Sequence, residues 1–187
     1  MIVILGPSGC GKTTLVKEVL QKHPKDYKRV VTYTTRPKRP GERDGVDYHF
    51  VSEWKFGLMA DRDEFVETET YRGYRYGTAL KDCRESNSHI AVMTPSGLRS
   101  LKRAGFHPLS ILIDVDRRSQ LMNLLQRGDD VDLAYETSLA DAGRFAGVDN
   151  EVDAVIQNIG FHMNPYEVLM VFERIVEESK EVLDENH

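Results

Sequence analysis

The stretch Gly6-Pro7-Ser8-Gly9-Cys10-Gly11-Lys12-Thr13 decides the fold, because it matches the phosphate-loop pattern G-x-x-x-x-G-K-[ST] at every specified position. The apolar run Ile2 to Leu5 precedes it, and apolar residues at helical spacing follow it until His23-Pro24 ends the pattern. A strand, a glycine-rich loop and a helix in this order form a cradle whose backbone N–H groups face phosphate oxygens. The stretch therefore predicts a nucleoside triphosphate site on an α/β core.

Two side chains of the loop have expected roles at a triphosphate. Lys12 can reach the outer phosphates as a point charge, and the Thr13 hydroxyl is placed to ligate magnesium. The full set of residues expected to bind the triphosphate in this region is Gly6, Pro7, Ser8, Gly9, Cys10, Gly11, Lys12, Thr13 and Thr14.

Composition limits the other classes of function. The 187 residues are 40% hydrophobic, enough for one substantial core, and the net charge of -5 comes from interspersed acidic and basic residues. This pattern argues against nucleic-acid or membrane-surface binding. Cys10 and Cys83 are expected to be free thiols in a reducing cytosol, and neither a signal peptide nor a membrane-spanning run is visible. The six histidines lack metal-ligand spacing, so we expect a cytoplasmic protein with no metal beyond nucleotide magnesium.

Hydrophobic patterning predicts an α/β core interrupted by a β-rich segment. Val30 to Tyr33 resembles a strand, and a loop stiffened by two prolines follows to Glu42. From Asp47 to Thr78, aromatic and β-branched residues predict a small antiparallel lobe with one short helix near Glu53 to Ala60.

The core resumes after this lobe. Strands are predicted at 89–93, 111–115 and 152–156, a crossover helix at 97–104, and a mostly helical stretch between Arg117 and Asn150. Asn164 and Glu167 form the capping box of a last helix.

Several motifs together resemble guanylate kinase, in order and spacing across roughly the first 80 residues. Besides the phosphate loop they are Thr34-Thr35-Arg36, Arg39-Pro40-Gly41-Glu42, Gly45 to Ser52, Glu64-Phe65-Val66-Glu67 and Tyr76-Gly77-Thr78. The resemblance implies a P-loop NTPase core of three layers with a parallel sheet, an inserted β-rich lobe for a nucleoside monophosphate at about 32–81, and a helical lid at about 120–150. The core would comprise about 1–31, 82–119 and 151–187 of a single domain.

The implied reaction is Mg²⁺-dependent transfer of the ATP γ-phosphoryl group to GMP or dGMP. By position, the implied acceptor-binding residues are Thr32, Arg36, Arg39, Glu42, Tyr48, Glu67, Tyr76, Thr78 and Thr94. Lys12 and Arg127 would be catalytic, Thr13 would bind the metal, and Asn158 would lie on the adenine side.

Residue chemistry supports this assignment independently. Arginines on a stiff loop suit bidentate contact with a phosphate dianion, and a carboxylate such as Glu67 can accept from the guanine N1–H and exocyclic amine. Adenine has no such donor pair, and a buried group left unpaired by the wrong base discriminates strongly. Without the resemblance, Arg36 and Arg39 could be solvated loop charges and Glu67 an exposed strand residue.

The chain departs from the family at two places. The strand after the lobe ends Met93-Thr94-Pro95 without the family's acidic pair, and Thr94 takes the position of the second acid. Either Asp114 and Asp116 compensate, or Thr13 with phosphates and waters suffices for the metal. Two further lid arginines are expected where the chain has Asn123 and Ser138, and the residues that could substitute are Arg117, Arg118 and Arg144.

Two other functions stay open on the sequence alone. One is a related kinase for another nucleotide or a sugar phosphate, which the missing acids favour. The other is a non-catalytic module that binds phosphorylated peptides, which the intact Lys12 and Thr13 oppose. A monomer and a homodimer are equally compatible with the pattern.

Overall fold

Alternating strands and helices make up the computed structural model, which describes residues 1–71, 73–83, 88–158 and 164–185. The elements are, in chain order, β1 (Ile2–Leu5), α1 (Lys12–Lys22), β2 (Lys28–Arg29), β3 (Tyr33–Thr34), β4 (His49–Phe50), α2 (Glu53–Asp61), β5 (Phe65–Tyr71), β6 (Tyr74–Ala79), β7 (His89–Val92), α3 (Pro95–Arg103), β8 (Leu109–Asp114), α4 (Arg117–Gln126), α5 (Val131–Phe145), β9 (Ala154–Gln157) and α6 (Pro165–Glu185). None of the helices in these ranges has the length and apolarity needed to cross a membrane.

The larger sheet is entirely parallel, with the strand order β2-β7-β1-β8-β9. Its central strands are continuous apolar runs because both of their faces are covered by helices. Ile2 and Ile4 face a core formed with α1 and α6, whereas Val3 and Leu5 face a core formed with α3. This arrangement confirms the three-layer α/β class expected from the sequence.

The smaller sheet has the strand order β4-β3-β6-β5 and packs on α2. Ser52 caps this helix by accepting a hydrogen bond from the Lys55 N–H, which explains why the helix begins at Glu53. The β3–β6 and β5–β6 pairs are antiparallel, but β3 and β4 run parallel. The expectation of an antiparallel lobe is therefore wrong for one strand pair.

The predicted strand from Val30 to Tyr33 is also wrong, except at Tyr33, where β3 begins. Residues 30–32 lie between β2 and β3, because the chain passes from one sheet to the other there. The Val30 N–H donates a hydrogen bond to Ile90 O in the large sheet. Two residues later, Thr32 O accepts a hydrogen bond from the His49 N–H in the small sheet. The predicted starts of the core strands, of the crossover helix and of the lobe helix differ from the structure by at most two residues. The capping box of α6 is present, with reciprocal hydrogen bonds between Asn164 and Glu167 of 2.7 and 3.1 Å.

Candidate active site

The phosphate loop joins β1 to α1 at the carboxyl edge of the parallel sheet, where α/β proteins bind ligands. Gly6 is required by space, because a Cβ there would lie 2.5 Å from both the Cys10 Sγ and the Ile113 carbonyl oxygen. Gly11 is required by conformation, because its φ of 103° lies in the left-handed region just before α1. The glycine positions of the motif thus have separate physical causes.

Lys12 folds back over the loop. Its Nζ donates to the carbonyl oxygens of Gly6 and Pro7 at 2.7 and 2.8 Å, so the ammonium lies within the loop. Thr13 and Thr14 are exposed in the first turn of α1, where hydroxyl and amide groups are accessible to an anion or its metal. The donor-site roles expected for the loop residues stay predictions.

A basic loop follows β3 and is organised by Glu42. The buried Arg36 guanidinium donates to Glu42 Oε1 at 2.6 Å and to Pro37 O at 2.8 Å, while the Arg39 N–H donates to Glu42 Oε2 at 2.8 Å. The hydrogen bond with Glu42 raises the pKa of Arg36, and the same contact lowers the pKa of Glu42. Glu42 therefore orients the Arg36 guanidinium and holds the backbone of Arg39, whose exposed guanidinium makes no ion pair within the described ranges.

Aromatic rings line the inner side of this loop. Tyr48 and Tyr76 meet edge to face with ring centroids 5.9 Å apart, and the Arg36 guanidinium lies 5.4 Å from the Tyr48 ring centre. Burial raises the pKa of Tyr48, so its hydroxyl stays a hydrogen-bond donor near neutral pH. Arg29, which sequence reasoning missed, lies 5.9 Å from the same ring centre, at the carboxyl end of β2. Two arginines and two tyrosines thus converge beside the edge of the large sheet.

Glu67 lies between the lobe and the large sheet. The Thr94 hydroxyl donates to its Oε2 at 2.8 Å, and the Thr78 hydroxyl lies 3.5 Å from its Oε1. A register shift after Phe65 bends β5 just before Glu67. Gly97 makes room for the carboxylate, because a Cβ at that position would overlap it. Glu67, Thr78 and Thr94, which are three of the predicted acceptor-binding residues, therefore form one hydrogen-bonded group, and Thr94 joins it from beyond the end of β7.

Burial dominates the electrostatics of Glu67. Desolvation raises its pKa to about 7, although the hydrogen bond from Thr94 favours the charged form. Thr94 also accepts from the Gly97 N–H at 3.2 Å and so caps α3. Its single proton goes to Glu67, so in the 2.8 Å contact with Ser96 the serine hydroxyl donates. Glu67 is therefore close to half-protonated at neutral pH, because burial outweighs the hydrogen bonds that favour its charged form.

The helices α4 and α5 contact the phosphate loop through residues that sequence reasoning did not assign to it. Asn123 Nδ2 donates to Gly9 O at 2.7 Å, and Asp141 Oδ2 accepts from the Ser8 N–H at 2.6 Å. Gln120 donates to the same Asp141 oxygen at 2.9 Å. The two contacts with the phosphate loop join residues more than 100 positions apart, so no local motif signals them.

The other residues considered for the predicted lid at about 120–150 do not lie together at one place. Arg127 ends α4 and forms an ion pair with Asp129 at 2.6 Å, half exposed to solvent. Arg144 instead reaches the lobe, where it pairs with Glu69 at 2.7 Å, and Arg117 lies over the Tyr135 ring. Ser138 is buried, and its hydroxyl has no hydrogen-bond partner in the described part of the chain.

Asp116 caps the N-terminus of α4. Its two carboxylate oxygens accept from the Ser119 N–H and hydroxyl at 2.9 and 2.6 Å.

Asp114 ends β8, and its carbonyl oxygen accepts from the Asn158 N–H at 2.8 Å. The Asn158 Oδ1 is buried without a partner in the described residues. Residues 159–163, beside Asn158, lie outside the described ranges.

Metal binding has no preformed protein cage across residues 1–71, 73–83, 88–158 and 164–185. No group of three or more His, Cys, Asp or Glu side chains converges there. The Thr13 hydroxyl beside the loop amides fits a cation that is held mainly by phosphates and waters, as magnesium often is.

A phosphate loop on a parallel sheet, facing a lobe with clustered arginines and tyrosines, defines the class of P-loop kinases. Residues 1–175 match the family described as Guanylate kinase. The chain belongs to the guanylate kinase family.

Curated relatives support this membership over most of the chain. It is 34% identical over 168 residues to a guanylate kinase of Nitrosococcus oceani, covering 87% of this chain and 82% of the relative. It is 32% identical over 146 residues to one of Sus scrofa, covering 75% and 74%. The crystal structure of a guanylate kinase from Anaplasma phagocytophilum has the same fold, with a TM-score of 0.68, 20% identity and coverage of 96% and 85%. These matches do not favour the other acceptor or the peptide-binding module.

Proposed function

We propose that this chain transfers the terminal phosphoryl group of ATP to GMP or dGMP, with Mg²⁺ bound to the donor. The observation that carries the proposal is the partly buried Glu67, whose carboxylate is held by Thr78 and Thr94, with Thr78 two residues from Tyr76 on β6. A carboxylate so placed accepts from the guanine N1–H and amine, which adenine and the pyrimidines do not offer together. Thr32 lies at the start of the same lobe.

The acceptor phosphate is assigned to Arg36, Arg39, Tyr48 and Tyr76. Arg36 is pre-oriented by Glu42, so little conformational freedom is lost when it contacts a phosphate. The exposed Arg39 supplies a second guanidinium, and the tyrosine hydroxyls can donate to the remaining oxygens. The roles of these four residues follow from their chemistry and from their match to the family motifs.

The donor is assigned to residues 6–14, with Asn158 on the adenine side. Lys12 exchanges its loop carbonyl partners for the outer phosphates, and Thr13 holds the cation. When bound, Mg²⁺ would neutralise charge on the phosphate oxygens. Arg127 stabilises charge on the transferred group after release from Asp129.

The lobe at about 32–81 and the lid at about 120–150 are proposed to close over the core and exclude water. The Arg144–Glu69 ion pair, which joins α5 to β5, supports this division of the chain. Cys10 and Cys83 are buried and form no disulfide, which supports a cytoplasmic location. Both a monomer and a homodimer are compatible with the proposal.

The test is a coupled assay of ADP release with ATP, Mg²⁺ and a panel of nucleoside monophosphates. Wild type should use GMP or dGMP, and Glu67→Ala should lower kcat/KM for them by about 100-fold, because two hydrogen bonds to a charged group are lost. Glu64→Ala, which removes a carboxylate outside this network, is the control and should retain activity. Equal activity of Glu67→Ala and Glu64→Ala would refute the assignment of Glu67.

A further inference from the structure

Asp141 places a negative charge against the phosphate loop. It lies on α5, is 4% exposed, and accepts from the Ser8 N–H at 2.6 Å and from Gln120 Nε2 at 2.9 Å. A loop built to bind an external anion therefore has one of its own N–H groups bound by an internal carboxylate.

Arg117 lines the same cavity as Asp141, but it lies over the Tyr135 ring and forms no ion pair with this carboxylate. Within the described ranges Asp141 has no ion-pair partner, and both hydrogen bonds come from uncharged donors. The carboxylate borders a cavity of about 290 Å³ that Pro7 and Asp114 also line. Ser138, one turn earlier on α5, turns an unpartnered buried hydroxyl to the same cavity. Asp141 is thus a carboxylate beside the donor site that has only uncharged hydrogen-bond donors and no ion-pair partner among the described residues.

The negative charge of Asp141 should weaken the binding of phosphate groups at the loop. Like charges a few ångströms apart in a low-dielectric environment repel more strongly than at the surface, and the repulsion grows with the charge of the ligand. A triphosphate brings more negative charge to the loop than a diphosphate. The penalty from Asp141 should therefore be larger for the triphosphate.

We propose that Asp141 is a specificity-determining residue of the donor site, which weakens the binding of polyphosphates in proportion to their charge. The inference rests on the proposed binding of ATP at the phosphate loop. Asp141 lowers the affinity difference between ATP and ADP and keeps the donor exchangeable.

Asp141→Asn isolates the charge, because an amide oxygen can accept the same two hydrogen bonds. We expect titration calorimetry to show about tenfold tighter binding of ATP to this variant, and a smaller gain for ADP, with and without Mg²⁺. Inorganic tripolyphosphate should show the same gain in affinity for Asp141→Asn as ATP does. Asp149→Asn is the matched control: it removes an equal charge from the exposed rim of the same cavity, where water screens it, and should change binding less than twofold.

Several outcomes would overturn the inference: unchanged or weaker ATP binding in Asp141→Asn, equal gains for ATP and ADP, or a gain matched by Asp149→Asn. Weaker binding only with Mg²⁺ would make Asp141 a metal ligand instead and would also overturn it. Thermal unfolding shows whether the variant folds, and Asp141→Ser provides a second neutral side chain if it does not. Failure of wild type to bind ATP would refute the proposed function, whereas wild-type binding without a gain in the variant would refute this inference alone.

Discussion

Glu67 is the residue whose chemistry depends most on its environment. Its carboxylate is desolvated between the two sheets and stabilised chiefly by the Thr94 hydroxyl, which leaves its pKa at about 7. An acid with a raised pKa is protonated as the pH falls through that value, and a protonated Glu67 loses acceptor capacity for guanine.

The first prediction concerns this titration. Wild-type kcat/KM for GMP should fall between pH 8 and pH 6, with an apparent pKa near 7. Phosphate ionisation, with a pKa of about 6, affects every variant, so Glu67→Gln serves as the reference. The ratio of wild type to Glu67→Gln should decrease as the pH is lowered, and a ratio that is constant from pH 8.5 to 5.5 would contradict the prediction.

Gly97 supplies a second prediction at this scale. Gly97→Ala should favour helix α3 by up to about 1 kcal/mol in intrinsic propensity, yet its new methyl group would displace the Glu67 carboxylate. We expect kcat/KM for GMP to fall at least tenfold while the protein stays folded. Gly143→Ala, in α5, has open space at its Cβ and should leave activity unchanged. Assays of both variants with thermal unfolding check this, and a fully active Gly97→Ala would contradict it.

At the scale of elements, the sequence predicted those helices and loops whose positions depend on motifs within a few neighbouring residues. The phosphate loop lies between β1 and α1 because glycine requirements and apolar periodicity are encoded within a dozen residues. The capping box likewise located the start of α6. The predicted strand at Val30 failed because one continuous β-like pattern serves two sheets, and the place where the chain changes sheet has no local signature.

The helices α1 and α6 are joined by a polar cluster that carries a third prediction. Glu173 on α6 accepts from Lys22 at 2.8 Å and from His23 at 2.6 Å. Burial opposes ionisation of Glu173, but these hydrogen bonds together hold its pKa below the usual value. Glu173→Gln should lower the free energy of unfolding by about 1 kcal/mol at pH 7, since the partners are partly exposed.

The pH dependence of this effect has a definite sign. Because the folded-state pKa is depressed, the stabilisation is present above the ordinary glutamate pKa and is lost as the pH falls through the folded value. Urea unfolding of wild type and Glu173→Gln should therefore converge under acidic conditions. Glu178→Gln, which removes an exposed carboxylate 3.9 Å from Arg174, is the control and should have little effect. A difference that persists unchanged at low pH would contradict the prediction.

At the scale of the whole molecule, the topology brings the acceptor lobe to the carboxyl edge of the parallel sheet. The family motifs predicted an acceptor-binding role for four residues, because each lies in a short segment that matches a motif and has suitable chemistry. These residues are Arg36, Tyr48, Glu67 and Thr78. Asp141, Gln120 and Asn123 could not be predicted, since their contacts with the loop arise only when α4 and α5 pack against it.

The central claim is that this molecule phosphorylates a guanine nucleotide selected by Glu67. The most direct measurement is the ratio of kcat/KM for GMP to that for AMP, from initial rates of ADP formation with ATP and Mg²⁺. A buried hydrogen-bonding group left unpaired by the wrong base predicts a ratio of about 10³ or more, which Glu67→Ala should lower sharply. Equal turnover of GMP and AMP, or no ADP formation with GMP, would contradict the claim.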